Sequence, residues 1–147
     1  MKKIIYLFLA IITLAGLYTL WDSRQLKESH YILEQNTITV TLDIEHKANK
    51  LVTYTAVTNI AFEAEQVAEM TAFAENAETQ FAGFSGVTME AEIVDNQVIT
   101  TQKLVFSEMN AQELADEPNL ANFTNGVISF GQLEQALFQQ GFKAVNK

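Results

Sequence analysis

The stretch TITVTLDIEHKANKLVTYTAVTNI, Thr37 to Ile60, decides the fold. In its first half Ile38, Val40, Leu42 and Ile44 alternate with Thr37, Thr39, Thr41, Asp43 and Glu45. Successive side chains leave a strand on opposite faces, so this period-two pattern predicts a strand with one buried and one wetted side. His46-Lys47-Ala48-Asn49-Lys50 is a polar turn, and Asn49 tolerates a left-handed backbone. Leu51 to Ile60 returns as a threonine-rich strand with Val52, Tyr54, Ala56 and Ile60 facing inward. Together the two halves predict a long antiparallel hairpin.

Beyond it the period changes. Val67, Met70, Ala74, Ala77 and Phe81 fall at helical spacing within Glu63 to Phe81, so one stripe can lie on the sheet. Gly83 and Gly86 end that helix, with Phe84 between them folding back on the core. Alternation resumes at Val87, Met89, Ala91 and Ile93, turns at Asp95-Asn96 and returns through Val98, Leu104 and Phe106, a second hairpin. Asn110-Ala111-Gln112-Glu113 has capping-box spacing and predicts a short helix stopping before Pro118, with a loop from Asn119 to Gly126. Ser129-Phe130-Gly131-Gln132 predicts another helix, burying Leu133, Ala136 and Leu137 and closed by Gly141 and Phe142. The expected fold is α+β: an antiparallel four-stranded sheet of two hairpins with helices on one face, in the order β-β-α-β-β-α-α.

Working back to the N-terminus, Ile4 to Trp21 is eighteen residues without a charge, preceded by Lys2 and Lys3 and followed by Asp22. A lysine or aspartate at mid-bilayer costs about 3 kcal/mol, so an uncharged run of this length is a transmembrane or export signal. The two lysines keep the N-terminus in the cytoplasm and place the remainder outside. An uncleaved anchor and a signal peptide cut after Thr13-Leu14-Ala15 both fit the run. The expected organisation is an anchor or signal over residues 1–21, a polar tether over 22–30 and an extracytoplasmic domain over 31–147. The location is the cytoplasmic membrane with the domain outside, or a secreted or periplasmic form after cleavage.

Charge narrows the partners. Beyond Trp21 the chain carries 18 acidic and seven basic side chains, a net charge of −11. That repels phosphate backbones, so nucleic acid is excluded as a partner. The membrane, reached through Ile4 to Trp21, and an envelope protein or basic partner remain. With no cysteine there is no disulfide and no thiolate metal site.

Gly86-Val87 opens a hairpin, Asp95-Asn96 is its turn, the Leu114 segment follows, and Ile128-Ser129 is succeeded by Gln140-Gly141-Phe142-Lys143-Ala144-Val145. In these features the C-terminal half resembles the YehR-like family of small bacterial lipoproteins. The turn at His46 to Lys50 resembles the family's polar turn between its opening strands. The resemblance implies an envelope location and a compact α+β domain, but no established reaction, ligand or catalytic residue. Family members typically carry a leucine-alanine-glycine-cysteine lipobox. Here Leu14-Ala15-Gly16 is followed by Leu17, so diacylation on cysteine is chemically impossible.

Candidate chemistry is sparse. His46 follows Asp43 and Glu45, a loose hint of a metal site, yet alternation sends His46 to the opposite face. His30 falls in the tether. Glu90 and Glu92 share a strand face and are the pair an envelope hydrolase would use as acid and base, although alternation puts both in water. Ser85 lies between glycines without nucleophile-elbow spacing and reads as a turn. Phe123, Phe130 and Phe138 exceed what the predicted core can bury and are the candidate exposed binding patch. The leading expectation is a non-enzymatic, membrane-tethered binding or assembly module without a cofactor. The alternatives are the Glu90/Glu92 hydrolase and an acidic cation-binding domain, the last expected to melt higher with calcium.

Overall fold

The computed structural model describes residues 26–117 and 128–146. It is an antiparallel sheet of six strands carrying two helices. The chain runs β1 (Leu26–Gln35), β2 (Ile38–Lys47), β3 (Lys50–Ala61), a 3-10 turn (Ala64–Gln66), α1 (Val67–Gln80), β4 (Val87–Val94), β5 (Gln97–Val105), α2 (Phe130–Gln139) and β6 (Lys143–Val145). Across the sheet the strands lie in the order β4-β5-β3-β2-β1-β6.

The α+β class holds, but the four-stranded sheet and its order are corrected to six strands, β-β-β-α-β-β-α-β. Leu26 to His30, read as tether, is the first half of β1. Its Lys-Glu-Ser-His run hides a strand because β1 lies near the sheet edge and keeps polar groups in water there. Tyr31 and Leu33 nevertheless alternate into the core opposite Leu42 and Val40. The sixth strand, Lys143 to Val145, is too short for a period to show. It is laid against β1 at His30 to Ile32 by the turn that ends α2.

That turn is a Schellman motif: Phe142 N–H donates to the Leu137 carbonyl and Gly141 N–H to that of Phe138. Gly141 takes φ +95°, open to glycine without a Cβ clash. Phe142 is buried beside Leu137, as expected. The other end of α2 is fixed twice. Ser129 and Gln132 form the predicted capping box. The β2–β3 turn adds to it, since Gly131 N–H donates to Asn49 Oδ1 and Phe130 N–H to the Asn49 carbonyl. In that turn Ala48 holds the positive φ, leaving Asn49 to cap the helix.

The predicted inner face of β3 needs one repair. Tyr54, Ala56 and Ile60 are buried, with Thr58 between them, but Val52 is not and Leu51 is. A register shift between Glu45 and His46 pairs His46 with Leu51 and reverses the alternation there. In α1, Met70, Phe73, Ala74 and Ala77 are buried while Val67, in the first turn, is 43% exposed. The helix predicted after Asn110 is instead a run of turns with Leu114 buried. Its capping box fails because Glu113 does not reach back to Asn110. Glu113 accepts from the Ser85 N–H and hydroxyl at 2.8 and 3.1 Å, tying this segment to the loop after α1.

Both helices pack on the same face of the sheet. Leu133 and Leu137 of α2 join Tyr31, Leu42 and Ile44, while Met70 and Phe73 of α1 join Ile60 and Val98. The opposite face carries His30, Asp43, Glu45, Thr53, Thr55 and Thr101, each partly exposed, and no described element covers it. Among the described residues no helix is long and apolar enough to cross a membrane, and Ile4 to Trp21 lies outside them.

Candidate functional site

The uncovered face gathers one cluster of metal-ligating side chains among the described residues: Glu28, His30 and Asp43. The turn at Asn36-Thr37 sets the β1–β2 register so that His30 lies directly opposite Asp43. Glu28, two residues before His30, shares its face because strand side chains repeat every second residue. His30 is flanked on its other side by Val145 of β6, so its side chain is only 14% exposed. Asp43 is 41% and Glu28 54% exposed, which leaves the cluster open to solvent on the Glu28 side.

Both carboxylates converge on one atom. His30 Nδ1 lies 2.5 Å from Asp43 Oδ1 and 3.8 Å from Glu28 Oε1. A carboxylate can only accept, so Nδ1 carries the proton and donates to Asp43. Glu45, opposite Glu28, is not among these contacts and accepts from the Thr53 hydroxyl at 2.5 Å. By register two cations flank the cluster on this face, Lys143 opposite Ile32 and Lys47 opposite Leu26. The sequence conceals this site because the polar run ending at His30 reads as a tether. The signal was present: counting back from Asn36-Thr37 as a two-residue turn puts His30 opposite Asp43.

His46 lies on the buried face, as alternation required. Its Nδ1–H donates to the Ala48 carbonyl at 2.8 Å, and Nε2 lies 3.1 Å from the Ser29 hydroxyl. The ring stacks on Phe130 with centroids 3.5 Å apart and planes 5° from parallel. These contacts give it a structural role in the turn that caps α2. Phe130 is accordingly half-buried, whereas Phe138 is 49% exposed and meets Tyr31 edge-on at 6.0 Å. Phe130 and Phe138 sit eight residues apart on α2, roughly 12 Å along its axis, with Glu134 between them accepting from the Tyr31 hydroxyl at 2.6 Å. Phe123 lies outside the described residues. Glu90 and Glu92 are both exposed on β4, opposite Thr101 and Ile99.

Two layers, an antiparallel sheet under a pair of helices with no described element on its other face, make this a small α+β domain. The chain belongs to the family described as protein of unknown function (DUF1307), whose model matches residues 27–143. The NMR structure of the E. coli YehR protein superposes with a TM-score of 0.67 at 16% identity, over 86% of this chain and 94% of that one. The NMR structure of a protein from Streptococcus pneumoniae TIGR4 does so with a TM-score of 0.58 at 10% identity, over 89% and 93%. At such identities these likenesses show the fold alone, and with it they bear out the YehR resemblance read from the sequence. No curated protein matches the sequence.

Proposed function

We propose that this protein is a non-enzymatic, extracytoplasmic binding module, held to the cytoplasmic membrane by Ile4 to Trp21, that binds through the uncovered face of its sheet. The observation that carries the reading is the Glu28–His30–Asp43 cluster, a convergent set of polar donors on rigid neighbouring strands, open on one side. The burial of Tyr31 and Leu33 on the other face of β1 supports it, because it fixes the strand that presents Glu28 and His30. Glu90 and Glu92 fit the role of a surface better than that of a general acid, which needs a carboxyl shielded from water.

The test combines mass with topology. Full-length protein should be recovered from the membrane fraction, and an impermeant amine-reactive label applied to intact cells (spheroplasts, if an outer membrane is present) should modify it. A truncated mass in the soluble fraction would remove the tether from the proposal. Labelling that requires lysis would remove the extracytoplasmic location.

A further inference from the structure

We infer that Glu28, His30 and Asp43 form a site for a divalent transition cation of the zinc class. The inference rests on the binding reading above and names what the cluster binds. A histidine and an aspartate facing each other across a strand pair need nothing more to form an ordinary ion pair. The third group makes the difference. Glu28 has turned to the same nitrogen as Asp43, so one imidazole nitrogen and two carboxylate oxygens, the ligand atoms such a cation takes, converge on one point of the face. A divalent cation at that point can be held by all three groups at once, whereas the proton on Nδ1 joins His30 to Asp43 alone at hydrogen-bond distance.

The geometry suits such an ion. Zinc ligands at about 2.0–2.2 Å in tetrahedral array lie roughly 3.3–3.5 Å from one another. The three donor atoms already lie within 4.8 Å of one another. Opening the 2.5 Å His30–Asp43 contact by about 1 Å and drawing the exposed Glu28 inward by up to about 1.5 Å brings all three into range. The cation takes the place of the proton on Nδ1, which moves to Nε2 or leaves to solvent. Three protein ligands leave the fourth position to water or to a group from outside, the open form of a zinc site. The nitrogen donor and the small ligand number discriminate against calcium, which takes six to eight oxygens. Val145 lies opposite His30 across the β1–β6 pair, so the histidine sits between two strands.

The test is a calorimetric titration of the full-length protein in detergent with zinc, manganese and calcium chlorides in turn. Nitrogen-15 spectra of the two histidines accompany it. The expected result is one equivalent of zinc bound, with the Nδ1 signal of His30 displaced and the ring signals of His46 unmoved. Glu28→Gln, at a side chain exposed enough to leave folding intact, and Asp43→Asn should each weaken zinc roughly tenfold or more. His30→Ala should abolish that equivalent. The inference is overturned if zinc gives no binding, if the variants retain it, if calcium binds as tightly as zinc, or if only His46 responds. Absence of zinc binding in a protein that is full-length and labelled from outside would sink this inference alone. Zinc binding in a protein that labels only after lysis would sink the proposed location alone.

Discussion

At the scale of single residues the backbone and the buried hydroxyls make the sharpest predictions. Gly86 has φ +72°, and a Cβ there would meet the Val105 carbonyl oxygen at 2.7 Å and the Met109 nitrogen at 2.8 Å. Gly83 has φ +91° with nothing within 4 Å of such a Cβ. Gly83→Ala should therefore cost only the left-handed backbone penalty, about 1–2 kcal/mol. Gly86→Ala should cost clearly more, because backbone atoms cannot yield as a side chain can. Chemical denaturation of the two variants checks the order, and equal losses would refute the contact argument. Tyr54 offers a second test. It is fully buried with no partner for its hydroxyl among the described residues, so Tyr54→Phe should be neutral or stabilising by up to about 1 kcal/mol. Burial also pushes the Tyr54 phenol well above the usual tyrosine range. Tyr31 is pushed the same way, by burial first and then by its bond to Glu134. A raised phenol keeps its proton in the folded state after the unfolded chain has lost it. The stability it contributes is thus fully present below about pH 10 and declines as pH rises beyond that value. Denaturation midpoints measured through this range should fall, and fall less in Tyr54→Phe.

At the scale of elements, what the sequence reveals depends on how one-sided each element is. The β2–β3 hairpin, the β4–β5 hairpin, α1 and α2 were legible because each buries one face and wets the other, and two glycine turns and a capping box mark their ends. Strand β1 was lost where Lys27, Glu28, Ser29 and His30 place polar side chains on both faces of an end that the core does not reach. Strand β6 was lost because three residues carry no period. The candidate site was lost with them, being built from β1 and from its register with β2 rather than from any local motif. One element carries its own protection. On β4, an edge strand, the outward Ala91 N–H donates to Glu78 Oε1 of α1 at 3.0 Å. Such a plug denies a neighbouring chain one rung of the ladder. Glu78→Ala, with Ile93 and Val94 exposed nearby, should increase concentration-dependent association while changing stability by less than about 1 kcal/mol. Light scattering against concentration checks this, and an unchanged concentration dependence would show that the plug is idle.

At the scale of the whole molecule the core is two clusters rather than one. Tyr31, Leu42, Leu133 and their neighbours form the larger, and Ile60, Met70, Phe73 and Val98 the smaller. On the sheet floor Thr58, Thr100 and Gln102 are buried, and Thr58 Oγ1, Thr100 Oγ1 and Gln102 Oε1 have no partner among the described residues. A buried acceptor or hydroxyl left unpaired costs about 1–3 kcal/mol. Replacing the two threonines, which are cross-strand partners, by valine should raise stability by about 1 kcal/mol each. A loss instead would reveal hydrogen bonds made through water. The pairing of β6 with β1 has a mechanical consequence as well. Because Val145 lies opposite His30 and the two strands run antiparallel, the chain enters at Leu26 and leaves past Val145 on the same side of the sheet. A pull between these two ends acts across the ladder rather than along it. The last three pairs then open in succession, as in a zip, and the C-terminal strand peels from its neighbour before the core bears any load.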